Sequence, residues 1–141
     1  MFLSPQPYLP IATLRAAVSY PAEEGTFPDS KIRDALRRVE LYALADRLDQ
    51  IDHWEKTLSD GEQQRLGLAR ALLHEPTWLF LDDATAALDE EAEQKAYTVL
   101  TEQLPHATVV SIAHRPSVAR YHTRRWTLVP RGDGSAELEA A

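Results

Sequence analysis

The feature that most constrains the fold is the order of elements between Trp78 and Ile112. Trp78-Leu-Phe-Leu81 is a short apolar run with no alternation, ending in two acids. Such a run suits a strand buried on both faces of a parallel sheet. Glu90 to Gln103 has the pattern of an amphipathic helix, and Thr108-Val-Val-Ser-Ile112 reads as a second buried strand. Parallel strands joined through a helix make a right-handed crossover, so the expected class is α/β.

The flanking segments add to this frame. Residues 1–4 read as a short strand, after which Pro5, Pro7 and Pro10 break regular structure. Thr13 can cap a short helix to about Val18, ended by Tyr20-Pro21. Asp29 or Ser30 caps a second helix carrying Ile32, Leu36 and Val39, and Leu41 to Leu48 reads as a third. The region from about 10 to 56 is thus expected to be a small helical layer. Ser59 and Glu62 form the S-x-x-E pattern of a capping box, opening a helix to about His74 that Pro76 stops. Leu66, Ala69 and Leu72 or Leu73 mark its buried face. Pro116 suits the first turn of another short helix. Trp126–Pro130 and Ala136–Leu138, joined through Gly132-Asp-Gly134, read as an antiparallel hairpin.

Composition removes several classes of function. A net charge of -7 leaves no basic footprint, so no nucleic-acid partner is expected. Without cysteine there are no disulfides or thiolate metal sites, which fits a reducing compartment. No apolar run approaches the ~20 residues needed to span a bilayer. The first residues lack the basic region and long apolar stretch of a signal peptide.

Chemistry concentrates at three places. The helix N-terminus at Ser59 offers free N–H groups and a positive dipole, which bind phosphate, and Gly61 leaves its backbone open to an anion. Read alone, Leu58-Ser-Asp-Gly could be only a good helix cap. Asp82 and Asp83 end a strand, where ligands of open α/β sheets sit. An acid there can hold Mg²⁺ beside nucleotide phosphates. Read alone, they could be two solvated acids. His114 follows the 108–112 strand, and a neutral imidazole can donate one hydrogen bond and accept another. A lone histidine is more often an ordinary polar residue.

Taken together, Leu58-Ser-Asp-Gly-Glu-Gln-Gln-Arg65 resembles the signature motif of ABC transporter ATPases, with Asp60 and Glu62 in place of the common Gly and Gln. Leu79-Phe-Leu-Asp-Asp83 resembles their Walker B strand, Ala84-Thr-Ala-Ala-Leu-Asp89 their D-loop, and Ile112-Ala-His-Arg115 their switch-histidine loop. Gln6 in Pro5-Gln-Pro-Tyr-Leu-Pro10, ahead of the helical layer, occupies the place of the Q-loop glutamine. The segment from Gln6 to Tyr20-Pro21 looks most like fused half-transporters of the peroxisomal fatty-acyl type and their bacterial relatives.

The resemblance implies an incomplete P-loop NTPase-type parallel sheet with a small helical subdomain and a C-terminal hairpin. It divides the chain into strand and Q-loop (1–9), helical subdomain (10–57), the ATPase core part (58–131) and a terminal strand or tail (132–141). It assigns Asp83, His114 and Gln6 to catalysis. It assigns Ser59, Asp60, Gly61, Glu62 and Asp89 to nucleotide contact or the opposite subunit. Asp82, with Gln6, falls on the metal side. The implied cofactors are ATP and Mg²⁺. The implied partners are a second ATPase domain and a membrane-spanning domain, at the cytoplasmic face of a membrane, expected to be a bacterial inner membrane.

Two departures matter. Active members usually carry Glu where Asp83 stands, and Asp is shorter by roughly 1.5 Å of reach. No Gly-x-x-x-x-Gly-Lys-Ser/Thr occurs, since the only glycines are 25, 61, 67, 132 and 134. The expectation is a truncated polypeptide or C-terminal part of a longer product, inactive alone, whose open sheet surface self-associates. The alternatives are a soluble, non-transport ATPase of the same family and a degenerate module that supplies signature residues in trans.

Overall fold

The computed structural model describes residues 1–141. Its centre is a parallel sheet of three strands in the order β1 (Phe2–Leu3), β4 (Trp78–Asp82), β5 (Thr108–Ile112). Phe2 pairs with Phe80, Phe80 with Val110, and Asp82 with Ile112. The crossover from β4 to β5 is α5 (Glu90–Gln103), so the expected α/β class holds.

Ahead of β4 lies α4 (Asp60–His74), with Ser59 as N-cap and both halves of the capping box formed. Such a cap stabilises a helix by about 1 kcal/mol. Leu66, Ala69 and Leu73 are buried along one face, and α1 (Leu14–Ser19) and α2 (Asp29–Arg38) pack on this helix. Arg70 reaches out of α4 to hold α1. Its buried guanidinium donates to the Ala17 carbonyl from Nε at 2.9 Å and Nη2 at 2.6 Å, and it lies over the Tyr20 ring. Burial pushes its pKa down to about 10, so it stays charged at neutral pH. One continuous core of 30 buried residues runs from Leu3 through the helices to Val118. The segment before α4 therefore packs as one body with the sheet.

That segment departs from its expected form at several points. A two-stranded antiparallel pair, β2 (Ala12–Thr13) with β3 (Ile51–Asp52), brackets it, and a short α3 (Trp54–Thr57) follows. Thr13 caps α1 as expected, accepting from the Ala16 amide. Neither Asp29 nor Ser30 caps α2, whose N-cap is Pro28. The reason is Arg15, whose fork takes both Asp29 carboxylate oxygens at 2.8 and 3.0 Å. This contact holds the Asp29 carboxyl below the usual carboxylate range. The helix expected over Leu41–Leu48 shrinks to a 3₁₀ turn at Tyr42–Leu44. Glu40, at φ 63°, turns the chain just before it, so burial of Leu41, Leu44 and Leu48 is met by a looped chain and not by a helical stripe.

The strands are not buried on both faces. Leu79 and Leu81 are buried beneath the helices, whereas Trp78, Phe80, Val110 and Ile112 are exposed on the opposite face. Trp78 and Phe80 stack there with ring centroids 6.1 Å apart. No helix of the chain covers that face, so the unbroken apolar run is explained on one side only. The hairpin of β6 (Trp126–Pro130) and β7 (Ala136–Ala140) runs two residues further than expected. Its Leu128 and Leu138 pair across the strands and are both exposed. No helix is long and apolar enough to cross a membrane.

Candidate functional site

Because β1, β4 and β5 are parallel, their carboxyl ends meet at one edge of the sheet. Gln6 follows β1, Asp82 and Asp83 close β4, and His114 follows β5. Asp82 is still in register with Ile112. At Asp83 the chain leaves the strand through the left-handed region, at φ 46°. Its amide donates to the Ile112 carbonyl at 2.9 Å, which pins the turn to β5. Asp tolerates this conformation better than most side chains, because its short polar group bonds locally. Positive φ at a non-glycine residue is a form of strain that clusters at working sites.

The turn aims Asp83 at the next loop. Its Oδ2 lies 3.2 Å from His114 Nε2. His114 is 85% exposed and Asp83 28%, so the pair has one open side and one held side. A carboxylate and an imidazole at this separation can share a proton or orient a water. Gln6 stands in the bend after β1, exposed, with the Ser4 hydroxyl donating to its backbone carbonyl at 2.8 Å. Its side-chain amide makes no hydrogen bond to Asp83 or His114.

The Ser59 end of α4 forms a separate group. Glu62 Oε2 accepts from the Ser59 amide at 2.9 Å and from its hydroxyl at 2.8 Å. The Glu62 carboxylate is therefore engaged within the cap. Asp60 is exposed at the first helical position. Gly61 faces the 83–89 loop, where an added Cβ would meet the Ala87 carbonyl at 3.5 Å and Leu88 Cδ2 at 3.6 Å. Those are ordinary contacts, so the site has room for a methyl group. Asp89 caps α5, accepting from the Ala92 amide at 2.8 Å.

Two polar residues tie these groups together: Gln64, which lies within the Leu58–Arg65 motif but was given no role of its own, and Glu93, which the motifs do not include. Gln64, buried on α4, accepts from the Ala87 amide at 2.9 Å and donates to the Pro5 carbonyl at 3.1 Å. It joins the Ser59 helix, the 83–89 loop and the segment before Gln6. Glu93, buried on α5, accepts from the Thr85 hydroxyl at 2.7 Å. The signal available in sequence was slight: a polar residue on the apolar side of an amphipathic helix. No group of three or more His, Cys, Asp or Glu side chains is placed to hold a metal ion by itself.

The ABC transporter family model matches residues 10–86, more than half of the chain. An uncharacterized ABC transporter ATP-binding protein of Haemophilus influenzae is 38% identical over 132 residues, covering 94% of this chain and 22% of the relative. The lysosomal cobalamin transporter ABCD4 of Mus musculus is 40% identical over 149 residues, covering 98% of this chain and 24% of the relative. The inner membrane ABC transporter ATP-binding protein YddA of Escherichia coli is 38% identical over 90 residues, covering 64% of this chain and 16% of the relative. The chain thus spans a quarter or less of the length of these relatives.

Proposed function

The chain belongs to the ABC transporter ATP-binding family, and from that premise we propose that it supplies the signature-bearing half of an ATPase that drives transport across a membrane. The observation that carries this reading is the Asp83–His114 pair, 3.2 Å apart at the carboxyl edge of a parallel sheet. The capped helix start at Ser59 supports it as a second phosphate-facing element.

In this reading the two groups serve different nucleotides. Ser59 and its neighbours face the phosphates of an ATP held by a second ATPase domain. Asp82, Asp83, Gln6 and His114 face an ATP whose P-loop lies outside these 141 residues. Asp89, beyond its cap, meets the second domain. Mg²⁺ fits the donors present, since it takes one or two carboxylates together with phosphate and water oxygens. Asp82 would be the carboxylate and the Gln6 amide oxygen a second contact. When bound, the ion neutralises phosphate charge as the terminal phosphoryl group transfers to water.

His114 donates toward the terminal phosphate while Asp83 accepts from the attacking water. Such chemistry depends mainly on positioning and charge stabilisation. The whole assembly would work at the cytoplasmic face of a membrane, joined to a membrane-spanning domain.

Asp83 limits the rate in this scheme. Its carboxylate is one methylene shorter than a glutamate's, so it reaches toward the attacking water less far than the usual residue at this place. In the complete ATPase, meaning this chain with its P-loop-bearing segment, Asp83→Glu is expected to raise phosphate release by about tenfold or more. The 141-residue chain assayed alone is expected to show no turnover. Equal rates for wild type and variant would remove the idea of a weakened site, and turnover by the chain alone would remove the need for a separate P-loop.

A further inference from the structure

Behind the Asp83–His114 pair the two loops are joined by a buried carboxylate. Glu93 lies near the start of α5 and is 3% exposed. Its Oε1 accepts from the Thr85 hydroxyl at 2.7 Å, and its Oε2 stands 3.3 Å from Arg115 Nη1. Arg115 Nη2 reaches the Ala86 carbonyl at 3.4 Å. Glu93 Oε2 and Arg115 Nη1 are both shut off from solvent, and neither completes a hydrogen bond. Opposite charge alone therefore holds them together. A buried carboxylate without a counter-charge is costly, so Glu93 fixes where the guanidinium can sit.

The chain positions matter. Thr85 lies two residues after Asp83, and Arg115 directly follows His114. Asp83, Thr85, Ala86, Glu93, His114 and Arg115 line one hollow of about 170 Å³. Tyr97, one turn along α5, donates to the Ser111 hydroxyl at 3.0 Å and so anchors the same helix to β5. Burial pushes the Tyr97 phenol up, and the Glu93 and Asp83 carboxylates add to that. The start of a helix also favours negative charge, which supports an acid at this place.

We propose that Glu93 is a positioning residue: by gripping Thr85 on one loop and Arg115 on the other, it sets the separation of Asp83 and His114. Only the last step, from separation to turnover, rests on the function proposed above. The geometric step stands on this chain alone.

Glu93→Gln keeps the shape and an acceptor for Thr85 but removes the charge facing Arg115. In the 141-residue chain, NMR of the histidine rings is expected to show the His114 signals shifted and broadened. His53 and His74 should keep their wild-type signals, and Glu93→Asp should restore His114 in part. Arg115→Lys, a change at a partly exposed side chain, is expected to disturb His114 in the same way and decides the matter should Glu93→Gln fail to fold. In the complete ATPase, Glu93→Gln is expected to lower kcat on the order of 10- to 100-fold with KM for ATP little changed. His114 signals identical to wild type in Glu93→Gln, or in Arg115→Lys where that variant decides, would overturn the proposal, as would a change shared by every histidine. An inactive wild-type ATPase would instead count against the proposed function and leave the NMR result to judge Glu93.

Discussion

Replacing His114 by alanine is expected to lower ATP turnover in the complete ATPase by about 100-fold or more while leaving the fold intact. The two halves of that expectation come from different facts. The side chain is 85% exposed and its one close partner is Asp83, so its loss opens no cavity. Substitutions at such surface positions usually stay within about 0.5 kcal/mol. The imidazole is also the one donor–acceptor group placed at 3.2 Å from the Asp83 carboxylate, so removing it leaves that acid unoriented. Phosphate release and a thermal melt of the same preparation check both halves. A turnover loss that tracks a loss of folded protein would reduce His114 to a structural role.

Replacing Trp54 by alanine is expected to do the reverse: to cost about 3–5 kcal/mol of stability through a cavity and a lost anchor. Trp54 is fully buried, and its indole Nε1 donates to the Ala12 carbonyl at 2.9 Å, across the β2–β3 pair. Arg47 lies over its ring at 5.6 Å. For a chain of this length the melting temperature should fall on the order of 10 °C. The loss should also reach the Ser59 cap, because the Gln63 amide donates to the carbonyls of Glu55 and Leu58 at 2.9 and 3.0 Å. Calorimetric melting of the 141-residue chain checks the magnitude. A midpoint within about 3 °C of wild type would mean that the segment before α4 contributes little to global stability.

How much of this could be read from the chain follows from how local each cause is. The Ser59–Glu62 cap was legible because both partners lie within one turn. The bounds of α5 and β5 were legible for a similar reason: amphipathic spacing marks the one, which the structure shows to be capped by Asp89, and a run rich in β-branched residues makes the other. The faces of β4 were not legible, since a run of Trp, Leu, Phe and Leu does not say which side the helices will cover. The 41–48 stretch misled because apolar spacing suited a helix, whereas the left-handed turn at Glu40 sets the path. Asp29 misled because its competitor, Arg15, lies 14 residues earlier. At the site, the motifs located Asp83 and His114 at one edge. The Glu93–Arg115 contact joins residues 22 positions apart through a fold that had first to be built.

The most direct measurement is Mg²⁺-dependent ATP hydrolysis by the complete ATPase, with wild type beside Asp82→Asn. The Asp82 carboxylate makes no hydrogen bond or ion pair within the chain, and it stands at the end of β4, in register with Ile112 and directly before Asp83. The expected result is turnover that requires Mg²⁺ and falls about 100-fold or more in Asp82→Asn, the folded fraction unchanged. Turnover that survives Asp82→Asn at the wild-type rate would contradict the assignment of this edge to the nucleotide.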